Sequence, residues 1–221
     1  MKRTILLLLL VSLTLVAGKY EANIVPKKMS VKIKKERFFY LLAPAVDKVY
    51  KELHLEYESV LKDIKESKNI DRITKLKEDY KVKTDEELLQ KLKPHPQSIV
   101  LAQAAMESGW ATSRFFVQAN NVFGMWSSNK NEPRIAAGVK RGGTRTIWLR
   151  KFDSIDDSIR AYYRLMAMGR AFGEFRALRV KTDNPHELVK KLDKYSEIGA
   201  KYGEELSAVI RYNKLVMRYD K

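Results

Sequence analysis

Gln97-Ser-Ile-Val-Leu-Ala-Gln103-Ala-Ala-Met-Glu107-Ser-Gly-Trp110 is the stretch whose reading decides the fold of this 221-residue chain. Residues Gln97 to Ser108 read as a strong, mostly apolar helix, and Gly109 closes it. Glu107 falls at the C-terminal end of that helix. Three effects there push its carboxyl upward in pKa. The negative pole of the helix disfavours a second negative charge, Met106 and Trp110 would strip water from it, and no Lys or Arg stands a turn before it. A carboxyl kept protonated near neutral pH can give a proton to a leaving sugar oxygen. On the residue pattern alone, the exposed end of an amphipathic helix fits equally well.

Working outward from this helix, Pro94-His95-Pro96 ends the pattern on its N-terminal side, and Pro96 suits a first helical position. Upstream, apolar positions recur at three and four from Pro44 to Ser67, which predicts one long amphipathic helix. Helical spacing continues through Tyr80, and Thr84 with Glu87 forms a capping box that opens a short helix to Leu92. Residues 19–38 read as a basic, unstructured lead-in. Downstream, a short helix is expected at Phe115–Ala119, opened by Thr112 or Ser113 and closed by Asn120-Asn121. Residues 127–143 are polar and loop-like, and Thr144 to Phe152 reads as a strand. A small β-hairpin inserted between helices is therefore expected. Ser154 and Asp157 cap the next helix, Asn184-Pro185 with Glu187 starts another, and Gly199 to Arg218 reads as the last. The fold class is mainly α, a helical domain at 94–221 with a small β lobe, preceded by a helical segment at 19–93.

The composition bounds the partners. Lys and Arg number 43 against 27 Asp and Glu, a formal net charge of +16, which draws the protein toward polyanions. Lys2 and Arg3 precede an apolar run from Ile5 to Val16, and Val16, Ala17 and Gly18 supply small residues. Residues 1–18 thus read as a secretory signal peptide, too short to span a bilayer comfortably. Export to a periplasm or cell envelope makes nucleic acid an unexpected partner, and the basic residues are dispersed along helix faces rather than clustered. Any membrane contact would run through an uncleaved signal. The chain has no cysteine, hence no disulfide and no thiol nucleophile. His54, His95 and His186 lie far apart without metal-ligand spacing, so no metal site and no cofactor are expected.

Three ordered motifs carry a resemblance. Gln103-Ala-Ala-Met-Glu-Ser-Gly-Trp110, Thr112-Ser-Arg114 and Asn120-Asn-Val-Phe-Gly-Met-Trp126 together resemble the bacterial glucosaminidase domain, glycoside hydrolase family 73. Phe152 to Tyr162 and Tyr195-Ser196 extend the likeness, and Lys35 to Pro44 resembles the entry segment of the Bax-type proteins of this group. The resemblance implies a lysozyme-like fold and hydrolysis of the β-1,4 bond following N-acetylglucosamine in peptidoglycan, by a protein expected to be monomeric. It implies Glu107 as general acid and Tyr195 as a cleft tyrosine that supports catalysis. Asn121, Phe123 and Trp126 occupy the motif that shapes the groove, with Trp110 a further substrate contact. By pattern, Phe123 reads more as core than as sugar platform, and Tyr162 as packing. Glu132, the sole acidic residue between Glu107 and Asp153, is the candidate second carboxylate, although a solvated loop residue is the commoner identity for such a position. A lytic transglycosylase or muramidase of the same fold, or a wall-binding protein without turnover, shares these features.

Overall fold

Ser30 starts the first helix, its hydroxyl accepting from the Ile33 N–H, as an N-cap should. The computed structural model describes residues 18–138 and 146–220. Apart from Gly18, the signal-peptide reading lies outside the described residues. Helix α1 (Val31–Lys65) is longer at its N-terminus than the sequence suggested, because Val31–Phe38 is helical rather than an unstructured lead-in. Lys32, Lys34 and Lys35 obscure a stripe in which Arg37, Phe38, Leu42, Val46 and Val49 are buried at helical spacing. Pro44 lies inside this helix, not at its start. The preceding irregular segment is also tied down: Arg37 donates to the carbonyls of Glu21 and Ala22 at 2.8 and 3.0 Å.

Helices α2 (Ile70–Tyr80) and α3 (Asp85–Leu92) follow, and the Thr84–Glu87 capping box forms as expected. Val60, Ile73, Leu88 and Leu92 make a small satellite core. Helix α4 (Gln97–Glu107) has Pro96 at its N-cap rather than at its first helical position. A helix with no polar face must be enclosed by other elements, and α4 is buried from Gln97 through Ala105. It threads the main core, and the Asp220 carboxylate, accepting from the Ser98 N–H at 2.8 Å, caps its positive end.

Ser113 caps α5 (Arg114–Ala119), and left-handed Asn120 ends it. Among the described residues the β lobe holds an antiparallel pair, β1 (Arg134–Ala136) with β2 (Trp148–Arg150), in the register Arg134↔Arg150 and Ala136↔Trp148, with Trp126 bridged to Leu149. The strand is thus shorter than Thr144–Phe152; residues 139–145 of the loop and strand readings lie outside the described residues. Helix α6 (Ile155–Met168) carries the expected Ser154 cap, and α7 (Gly173–Arg179) and α8 (Pro185–Leu188) follow. The expected final helix is two, α9 (Ala200–Tyr212) and α10 (Leu215–Tyr219), broken at left-handed Lys214. The break turns Leu215 into the core and leaves Met217 exposed. Among the described residues, no helix is long and apolar enough to cross a membrane.

Candidate active site

Glu107 is the last residue of α4, so burial of that helix delivers its carboxyl to the edge of the core. The chain then turns sharply. Gly109, Trp110 and Ala111 are all left-handed, with φ of 59°, 63° and 61°, a conformation that strains the two residues carrying a Cβ. Side chains lock the turn from several directions. Ser108 Oγ donates to the Ala104 carbonyl and accepts from the Ala111 N–H. Thr112 Oγ1 donates to the Gly109 carbonyl, and the buried Arg37 donates to the Ala111 carbonyl at 2.6 Å.

The Glu107 carboxyl opens on a cleft of about 790 Å³, walled by the 123–126 loop, Arg150, Leu165, Phe172 and the 195–198 turn. The Tyr202 hydroxyl on α9 donates to Glu107 Oε1 at 2.7 Å. Burial raises the Glu107 carboxyl above the ordinary carboxylate range, and the Tyr202 bond pulls it only partly back. Tyr195 stacks on Tyr202, with ring centroids 5.4 Å apart and planes at 8°. Burial first, and then the nearby Glu107 charge, push both phenols far up, so neither is suited to act as a base.

The structure brings Glu107, Phe123, Trp126 and Tyr195 to one cleft. Trp126 is 65% exposed, leaving its ring open to the cleft. Phe123 is both core and wall, being buried and stacked on Tyr162 at 4.1 Å. Three other candidates do not line the cleft. Asn121 is buried behind it, with Nδ2 donating to the Met125 and Arg150 carbonyls and Oδ1 accepting from the Met125 N–H; it braces the wall. Trp110 packs edge-on against Phe38 and Phe39, with the Lys35 ammonium over its ring, because the left-handed turn directs it onto α1. Glu132 is a partly exposed loop residue outside the cleft wall: it pairs with Arg150 at 3.2 Å, and it is Arg150 that reaches the cleft.

Sequence reasoning missed Tyr202, Arg150 and Glu197, all at or beside this cleft. Tyr202 sits on the apolar stripe of its helix and gives no local sign of its hydroxyl's partner, which lies 95 residues away. Arg150 had a signal, since strand alternation sets it opposite the buried Leu149.

Comparison with known proteins places this geometry. The chain is 30% identical over 132 residues to Protein bax of Escherichia coli K12; the match covers 57% of this chain and 46% of that protein, so the chain spans about half the length of that relative. The catalytic domain of the autolysin Auto from Listeria monocytogenes shares the fold, at 14% identity and a TM-score of 0.51, covering 86% of this chain and 90% of that domain. A peptidoglycan hydrolase mutant from Sphingomonas sp. A1 aligns at 19% identity and a TM-score of 0.49, over 82% and 96% of the two chains. The family profile described as mannosyl-glycoprotein endo-β-N-acetylglucosaminidase matches residues 82–215, from the end of α2 through both strands to the start of α10, and the chain belongs to that family.

Proposed function

We propose that the protein is a peptidoglycan hydrolase, a β-N-acetylglucosaminidase that cuts the β-1,4 bond following N-acetylglucosamine with Glu107 as general acid. The observation that carries this reading is a half-buried carboxyl whose pKa is raised by desolvation, one oxygen held by Tyr202, at the mouth of a cleft with an exposed tryptophan. With Oε1 occupied, the proton resides on Oε2. It passes to the leaving oxygen as the glycosidic C–O bond breaks, and the resulting carboxylate then accepts a proton from the water that adds at the anomeric carbon. The anomeric carbon is met by the substrate's own acetamido oxygen or by a wall carboxylate, where Glu197 stands. Glu132 bears on the site through Arg150. The net charge of +16 favours an anionic wall polymer over a neutral glycan, and the apolar N-terminal run favours action at the cell envelope. In this reading residues 94–221 carry the chemistry, residues 19–93 brace it, and the protein works as a monomer without cofactor.

Digestion of purified peptidoglycan, with products reduced and read by mass spectrometry, tests the reading. New reducing ends on N-acetylglucosamine are the expected result. Anhydro-muramyl ends would assign a transglycosylase instead, and wall binding without release of fragments would assign a binding protein. Trp126→Ala is expected to raise KM about fivefold with kcat within about twofold, the scale of one lost aromatic contact made equally in ground and transition states. Steady-state kinetics on a soluble glycan fragment checks it, and an unchanged KM would remove Trp126 from the substrate platform.

A further inference from the structure

Behind the cleft, buried polar side chains run from Glu107 to the far side of the core. Arg179, the last residue of α7, is 1% exposed. Among the described residues no carboxylate pairs with it; its Nη2 donates to the Gln90 carbonyl, and its Nη1 lies 3.4 Å from His95 Nδ1. His95 Nε2 is 2.8 Å from the Tyr162 hydroxyl. Tyr162 donates to Gln103 Oε1, Gln103 Nε2 donates to the Tyr202 hydroxyl at 3.1 Å, and Tyr202 donates to Glu107 Oε1.

One group fixes every direction in this series. A guanidinium has no acceptor, so His95 Nδ1 must accept. A neutral imidazole then carries its proton on Nε2 and must donate to Tyr162. Burial first, and Arg179 second, hold the imidazole neutral. Having received from His95, Tyr162 gives its own proton to Gln103. That bond sets the amide with its oxygen toward Tyr162 and its NH2 toward Tyr202. Tyr202, in turn, is left to donate to Glu107.

We propose that Arg179, His95, Tyr162, Gln103 and Tyr202 form a one-way hydrogen-bond chain whose task is to position Glu107 and set how readily it releases its proton. A buried cation without an anion is costly, and here its charge is spent on orienting the chain. The sensitive joint is the Gln103 amide. Without the Tyr162 hydroxyl it can flip, present Oε1 to Tyr202, and compete with Glu107 for the Tyr202 proton. The other groups facing Glu107 are Tyr195, stacked on Tyr202, with Arg150 and Glu197 in the cleft walls. From α1, Lys35 and Arg37 reach Trp110 and Ala111 just beyond it; from α10, Tyr219 and Asp220 lie toward the opposite end of α4.

The proposal rests on Glu107 as the acid, so the test reads Glu107 directly as well as through turnover. Its side-chain carboxyl 13C resonance, assigned by its loss in Glu107→Gln, is titrated alongside the pH profile of kcat/KM. Tyr202→Phe is expected to move the Glu107 titration and the basic limb of the profile upward by about one pH unit, the size of one hydrogen bond to a charged group. Tyr162→Phe, which keeps the ring stacked on Phe123, moves both the same way. The double variant moves them no further than Tyr202→Phe alone, since both changes cut one chain. Tyr163→Phe, whose hydroxyl bonds the His95 carbonyl outside the chain, leaves them in place. Gln103→Met, which removes the donor behind Tyr202, is the second variant should Tyr162→Phe not fold, and it too shifts Glu107 upward. Additive shifts in the double variant, or a Glu107 titration unmoved by both Tyr162→Phe and Gln103→Met, would overturn the chain. A 13C titration that shifts while Glu107→Gln retains turnover would uphold the chain and reject Glu107 as the acid.

Discussion

Glu107→Gln is expected to lower kcat by about 10³-fold, within the range that a single general acid contributes, while KM changes little. The substitution keeps the shape of the side chain and an oxygen to accept from Tyr202, and removes only the transferable proton. Thermal stability should hold or rise slightly, because a neutral amide is cheaper to bury than a group that must bear charge in part of its cycle. That combination separates chemistry from folding. A variant with an unchanged melting temperature and nearly dead kinetics fixes the acid, whereas turnover within tenfold of the parent would place the proton donor elsewhere.

Arg37→Leu is expected to cost about 3 kcal/mol of folding stability, from the buried Ala111 carbonyl left without a donor and the lost ties to the Glu21 and Ala22 carbonyls. For a chain of this size that corresponds to a melting temperature lower by roughly 6–12 °C. Arg37 holds the Ala111 carbonyl from one side and the Glu21 and Ala22 carbonyls from another; leucine fills much of the volume and offers no donor. The loss falls on the left-handed run at 109–111, which is retained only while its surroundings enforce it. Relaxation of that turn would shift Glu107 at its start, so activity should fall more steeply than the folded fraction alone explains. Arg37→Lys should be intermediate, since an ammonium can serve one site but not span both. Urea titration with parallel activity assays at a fixed folded fraction checks both effects. A loss below about 0.5 kcal/mol, the scale of an ordinary surface change, would mean that water satisfies those carbonyls instead.

The parts of the fold legible in the sequence were those written locally. Thr84 with Glu87 and Ser154 with Asp157 announce helix starts in four residues, and both caps form. Gly109 marks the end of α4, and the polar run after Trp126 marks the β lobe. The errors arose where a tertiary contact overrode a local pattern. Residues 31–38 looked like a solvated basic tail, yet Arg37 is needed 74 residues away at Ala111. Residues 199–218 kept a helical period across a break that only packing of Leu215 requires. The same division runs through the site. Glu107, Trp126 and Tyr195 could be found from short motifs, and they meet in one cleft. Tyr162 was read as packing, which is half of its role, because a stripe of apolar positions does not show where a hydroxyl points. Trp110 shares a motif with Glu107 but not a direction, since the left-handed turn that begins at Gly109 swings it away. Glu132 has the right chemistry for a second carboxylate, and its ion pair with Arg150 is invisible until the strands pair.

The enclosure of α4 also divides labour between rigidity and motion. An element walled by α1, α9 and α10 releases its amide protons to solvent only when the domain opens as a whole. On the proposed reading, the acid is then carried by an element expected to open only with the domain as a whole. The opposing rim, where Trp126 and Ile198 stand exposed, is the part of the cleft free to adjust to what enters it. The two walls of the cleft thus differ in kind, and substitutions at the exposed rim are expected to leave the packing of α4 intact.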